Sequence, residues 1–316
     1  MPAPLPSPPL RAPRRRAAAA GVMALAAVLA ASCSSAAGRP TGTTVPAAGP
    51  EAGVTSRYGS VAGPSSRPTT KAALAATHAF AAGVDASTAA FMQSVSSLQG
   101  AVGSGDTAAA RTDELTAQAD YDAFRVLESR NAVNASSLDE LATDVAPTTT
   151  FGGLHAVERD LWTSGPLAAD VAGLAGQAPV AQYVLSRERL GPEAIGTVAV
   201  DELDWLVDVA LVTSQEQYSH LGLVDVVAAE GAAAATFAIV RPLGTLVDPG
   251  LTATVAAQFA ALDARTAALG PATGTPDGTV PAASRLALSQ QADATASTLA
   301  RLAAALTPYG TAGAPS

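Results

Sequence analysis

Cysteine, lysine and histidine are nearly missing from this chain of 316 residues. The single cysteine, Cys33, excludes a disulfide within one chain, so the fold must hold by packing alone. One lysine, Lys71, stands against seventeen arginines, which reads as the codon bias of a GC-rich genome rather than as function. Charged residues make up only 14% of the chain and the formal net charge is −9. That balance argues against nucleic acid as a partner, since phosphate contact needs clustered Lys and Arg, and suits a host for cations. No window shows sustained strand alternation, which excludes a β fold and leaves an all-α reading. The length suffices for one sizeable core or two smaller ones, since single cores stop growing near ~250–300 residues.

The first 32 residues read as a targeting segment. Arg11 to Arg16 form a basic stretch and Ala17 to Ala31 a small-apolar run, too short for a transmembrane helix, which needs ~20 apolar residues. The run ends at Ala30-Ala31-Ser32-Cys33. A lone cysteine at that point resembles a bacterial lipobox, with Cys33 as the lipidated first residue of the mature protein. The other reading is ordinary secretion with an incidental cysteine. Removal of residues 1–32 takes four arginines and no acid, leaving −13. Residues 33–69, rich in Ser, Ala, Gly, Thr and Pro without an apolar period, are expected to be a flexible tether. Residues 308–316 are expected to be a disordered tail.

From residue 70 the chain reads as helices separated by Gly, Pro and Asp. Thr69 or Thr70 caps a helix through about Val102, and Asp106 caps a second to about Arg130. A short piece, Ser137 to Asp144, precedes a Thr-rich loop and the helix that holds His155. Pro166 and Pro179 punctuate the region after that helix. Pro192 opens a helix to about Ser214. Residues 219–240, 249–269 and 282–306 form three more, with Pro242, Asp248-Pro249 and Gly270-Pro271 as breaks. Antiparallel helices on short loops imply a bundle.

The stretch Gly153-Leu154-His155-Ala156-Val157-Glu158-Arg159-Asp160-Leu161-Trp162 carries the chemistry. On a helix, His155 and Glu158 stand three apart and share one face. An imidazole and a carboxylate so placed can supply two ligands to a metal ion. Trp162 falls four residues beyond Glu158 and could wall off one side.

These ten residues resemble the Gly-x-His-x-x-Glu signature of the imelysin family, in particular the branch of EfeO- and EfeM-type iron-uptake proteins. A second stretch, Gln217-Tyr218-Ser219-His220-Leu221-Gly222-Leu223-Val224-Asp225, resembles the Tyr-Ser-His-x-Asp-Leu segment of the same branch, and Arg241-Pro242-Leu243 follows at a similar remove. The resemblance covers about residues 71 to 307. It implies an all-α domain over residues 70–307, built of two packed four-helix-bundle-like halves with a metal site between them. It implies the short form, since residues 33–69 cannot hold the copper-binding cupredoxin-like domain of longer members.

On that resemblance the ligands are His155, Glu158 and His220, with Glu216 and Asp225 flanking the second stretch. His78 reads as a helix-face residue, and Asp201, Glu202, Asp204 and Asp208 as a solvated face. Tyr218 either meets a metal ligand or is simply packed. The chain departs from the family at Tyr121-Asp122-Ala123-Phe124-Arg125, where Arg125 stands in place of a glutamate, with Glu128 one turn on. It departs again at Ser214 and Gln215, where paired glutamates are usual, and at Gly222 in place of aspartate. Fewer carboxylates weaken a site for Fe(III) or shift it toward zinc or copper.

The function so implied is the membrane-anchored, extracytoplasmic iron-binding component of an elemental-iron (EfeUOB-like) uptake system. Its partners are an iron permease, an associated peroxidase-type component, and the membrane through the lipid anchor; its ligand is iron, Fe(II) or Fe(III). The alternative is a structural or interaction lipoprotein with a decayed site. A metallopeptidase, the label once given to imelysins, is disfavoured. A zinc hydrolase needs three protein ligands and an open position, and His155-Ala156-Val157-Glu158-Arg159 lacks a second histidine.

Overall fold

The computed structural model describes residues 67–131, 138–141, 151–212 and 215–310. The expected signal peptide, Cys33, most of the tether and half of the Ser137–Asp144 piece lie outside the described residues. Among those residues there are helices, turns and loops but no strand, so the all-α reading holds.

Helix α1, Pro68–Ser104, starts ahead of the expected Thr69 or Thr70 cap. Arg67 holds the N-cap position without a side-chain hydrogen bond, and Pro68 fills the first turn, where its missing N–H costs nothing. It ends at Gly105, whose φ of 75° puts it in the left-handed region that glycine enters without strain. Asp106 then caps α2, Thr107–Asp122, by accepting the N–H of Ala109 at 3.0 Å. The two helices pack on each other as a hairpin.

The expected single helix to Arg130 is instead broken. Ala123 and Phe124 donate to the carbonyls of Asp120 and Tyr121, three residues back, and α3 runs separately from Arg125 to Asn131. Packing supplies the reason. Phe124 is fully buried edge-on against Phe91 and Tyr121, with centroids 5.5 and 5.3 Å away.

Helix α4 spans Leu154–Thr163 and starts after Gly153, whose φ of 80° again requires glycine. Helix α5, Leu167–Leu185, carries Pro179 inside rather than at a break. Helix α6, Pro192–Trp205, continues through a π-helical turn, Leu206–Ala210. Helix α7 runs Leu223–Val247, α8 Pro249–Ala267 and α9 Ala282–Leu306. The break expected at Pro242 is absent. Leu243 and Gly244 beyond it are buried, and a Cβ on Gly244 would lie 2.8 Å from Thr252 Oγ1, so the last turn of α7 is held against α8. At the other end of the chain, Thr307–Tyr309 form a 3₁₀ turn in which Tyr309 packs on the core, so order extends into the expected tail.

Helices α1, α2, α4 and α5 pack as one group, and α6 to α9 as another, with α7 also lying against α1 and α2. Helix α7 has the length and mean hydropathy (1.8) of a membrane span, but 78% of its most apolar window is buried within the fold. A helix that is apolar all round belongs at the centre of a core. That is its place here.

Candidate metal centre

The site lies where the first group of helices meets α7 and the loop before it. Helix α2 contributes a polar stripe, Glu114, Gln118 and Asp122, at four-residue spacing and wholly buried. Helix α4 contributes His155 and Glu158, buried on one face as their spacing predicts. The loop 215–222 lies over them. Glu158 Oε1 accepts the backbone N–H groups of Tyr218 at 3.0 Å and Ser219 at 2.7 Å, which fixes the loop on α4. The same loop lowers Glu216 into the interior, its Oε1 3.9 Å from His155 Nδ1. Donor atoms of His155, Glu158 and Glu216 all lie within 4.8 Å of one another.

Two ligands at ~2.1 Å from one ion stand about 3.0–3.4 Å apart at octahedral or tetrahedral angles. For the three to share a metal, the 3.9 Å between His155 Nδ1 and Glu216 Oε1 therefore needs to contract by about 0.5–0.9 Å, and a spacing at the group's upper bound of 4.8 Å by about 1.4–1.8 Å. Glu114 offers two further oxygens, both buried and without a hydrogen-bond partner, and Glu158 Oε2 is likewise unpartnered. Buried carboxylate oxygens without donors are costly unless a proton or a cation joins them. The donor set fits a cation.

The electrostatics say the same. Burial pushes the Glu114 carboxyl well above the usual carboxylate range, and the charge of Glu158 adds to it. Burial raises Glu216 likewise, with Asp225, Glu114 and Glu158 reinforcing it. Asp225, at the first turn of α7, is raised by burial and by Asp122 against the pull of Arg125. Asp122 is raised to about 7, burial outweighing Arg125. Glu128, which accepts the hydroxyl proton of Tyr121 at 3.1 Å, is raised to about 8 by burial. Asp139 is the exception: burial opposes its ionisation, but Arg125 and His155 outweigh burial and hold it below the usual range.

Arg125 is the buried cation amid these acids. It pairs with Asp122, reaches Asp139 Oδ2 at 3.4 Å, and stacks on the Trp205 ring at 3.9 Å. Burial disfavours its charge, yet Asp122, Asp139 and Asp225 more than restore it.

The structure thus brings together His155, Glu158 and Glu216 of the five residues expected as ligands. Asp225 is buried and close enough to act on Glu216 by its charge, but it stands outside that group. His220 does not join. Its φ is 60°, its side chain is exposed, and its peptide groups shape the loop instead, the N–H donating to Glu216 O and the carbonyl accepting from Asp277. A left-handed histidine at the loop's turn points its ring to solvent. Trp162 does not wall the group either: it is half-buried beneath the Arg111 guanidinium, which also donates to the Leu161 carbonyl at 2.9 Å. His78 is exposed on α1, in keeping with a helix-face residue. Of the acids on α6 and the π-helical turn after it, Asp201, Asp204 and Asp208 are at least partly exposed, but Glu202 is buried and raised by burial and by Asp122.

Glu114, Asp139 and the inward Glu202 escaped the sequence reading. For Glu114 a signal existed: Glu114, Gln118, Asp122 and Arg125 form one helical stripe, and its mixed polarity reads as a solvated face. No family model and no curated protein matches the chain. The site's chemistry must therefore speak from its own geometry.

Proposed function

We propose that this protein binds iron at His155, Glu158 and Glu216 as the extracytoplasmic, lipid-anchored component of an elemental-iron uptake system, and passes the ion to a membrane permease. The observation that carries the reading is the convergence of these three side chains beside the unpartnered oxygens of Glu114. Imidazole with carboxylates suits iron, and zinc or copper as alternatives. The resemblance of residues 153–162 and 217–225 to the imelysin family supports iron and supports the anchor at Cys33. Binding rather than hydrolysis is favoured because the donors are buried, whereas a hydrolytic metal needs a position open to substrate.

One observation favours a second reading, a scaffold for protein contacts with a decayed site. Arg125 already places a cation among the acids. Calorimetric titration of the full chain with Fe(III)-citrate, Fe(II), Zn(II) and Cu(II) separates the two. Tight iron binding that disappears in the His155→Ala/Glu158→Ala double variant supports iron capture. Binding of zinc alone moves the reading to another metal, and no binding by the wild type leaves the scaffold.

A further inference from the structure

Beside a side-chain hydrogen bond with Gln118, Asp139 meets Arg125 and His155 with two different oxygens. Its Oδ2 is 3.4 Å from Nε of Arg125, and its Oδ1 is 3.1 Å from Nε2 of His155, approached off-axis. Such carboxylate contacts commonly tighten only when the site is loaded. Arg125 cannot follow its partners about. Its guanidinium is buried, pairs with Asp122, and is stacked 3.9 Å from the Trp205 ring and 5.5 Å from the Tyr121 ring. Asp139 is therefore held from one side by a rigid cation while it faces the imidazole on the other.

A neutral imidazole carries one proton, and the geometry decides which nitrogen holds it. With the proton on Nδ1, the lone pair of Nε2 would face a carboxylate oxygen at 3.1 Å, two acceptors in repulsion. With the proton on Nε2, that nitrogen donates to Asp139 and the Nδ1 lone pair faces Glu216 Oε1 at 3.9 Å. This distance is long for a hydrogen bond, and Nδ1 has no hydrogen-bond partner, so its lone pair is open to an ion that would draw the two groups together.

We propose that Asp139, held by Arg125, fixes His155 in the tautomer protonated on Nε2 and so presents Nδ1 to a metal shared with Glu158 and Glu216. Asp139 is a positioning residue: it acts on the ion through the ring. The proposal rests on the metal reading for its purpose, but its first test needs no metal.

The test is histidine-selective ¹⁵N spectroscopy of the full chain, freed of metal by a chelator. With three histidines, the variants His78→Gln and His220→Gln assign the signals. The expected result is a His155 ring with Nε2 protonated and Nδ1 bare. Asp139→Ala should release the ring to a tautomer mixture and weaken Zn(II) binding about 10–100-fold. Asp139→Asn, whose amide oxygen still accepts, should restore the tautomer. A wild-type ring protonated on Nδ1 would overturn the proposal, as would an unchanged tautomer in Asp139→Ala. Should the alanine variant fail to fold, the wild-type and asparagine spectra decide. The expected tautomer in a wild type that binds no metal would retain the positioning and remove the metal reading.

Discussion

Glu158 Oε1 lies 2.7 Å from the backbone nitrogen of Ser219, sixty-one residues further along the chain. A single carboxylate oxygen thereby closes the loop 215–222 over α4 and delivers Glu216 to His155. The two oxygens of Glu158 divide the work: one holds the fold, and the other is left without a partner.

That division predicts a split between two substitutions. Glu158→Ala leaves the N–H groups of Tyr218 and Ser219 without their acceptor and should cost about 1–3 kcal/mol of stability. Glu158→Gln keeps an accepting oxygen and should retain most of that stability while losing metal affinity. Chemical denaturation of both, beside a zinc titration, checks it.

Breaking the buried pair at Arg125 should cost more. Arg125→Gln leaves Asp122 and Asp139 without their cation, and removal of one partner of a buried ion pair costs about 3–5 kcal/mol. The loss should shrink as pH falls through about 7, because Asp122 regains its proton there. Urea melts at several pH values report both the size and the slope.

Metal-free stability should fall as pH rises from the ordinary carboxylate range to about 8. Asp122, at about 7, and Glu128, at about 8, hold protons in the folded chain that the unfolded chain has released. Stability they contribute is full below the unfolded values and is lost as pH rises through the folded ones. Glu202, Glu114, Glu216 and Asp225 are raised and act in the same direction. Asp139, held low, acts the other way, but only below the ordinary aspartate range. Thermal melts of chelator-treated protein across pH should show the decline, and Glu202→Gln should lessen it.

Loading the site should release protons. Carboxyls that sit protonated in the metal-free fold must ionise to become ligands, so affinity should rise with pH. Calorimetry in buffers of differing ionisation enthalpy counts the protons directly, and a count of zero would contradict the raised state of Glu216.

A substitution remote from the site should move stability alone. A Cβ on Gly196 would lie 2.8 Å from Ala303 Cβ, where α6 meets α9. Gly196→Ala should therefore destabilise by about 1–3 kcal/mol through overpacking and leave zinc affinity unchanged. Paired melting and titration experiments test it.

One cap is legible in the sequence, another is not, and the interior is not. The helix expected to start at Thr69 or Thr70 starts at Pro68, with Arg67 at its N-cap. Asp106 announces its helix because a capping carboxylate acts on backbone three residues away, within reach of local reading, and Asp248, read only as a break, turns out to cap in the same way. The break at Ala123-Phe124 depends on Phe91, thirty-three residues before Phe124, and the unbroken helix at Pro242 depends on α8. His155 and Glu158 stand out through their spacing and the wording around them. Glu114 does not, because a polar stripe is read as facing water until another element is seen to cover it. His220 shows the converse: it sits inside the right wording, but its left-handed backbone turns the ring outward.

The buried acids change what the composition says about the molecule as a whole. A formal charge of −9 treats every carboxyl as ionised. Glu114, Glu202, Glu216 and Asp225 hold protons well above the range that this arithmetic assumes. The folded, empty protein should accordingly migrate in an electric field as a less acidic particle than its unfolded chain. Each acid that surrenders its proton to make room for a cation cancels part of that cation's charge, so capture can proceed with little change in the field the protein shows to its surroundings.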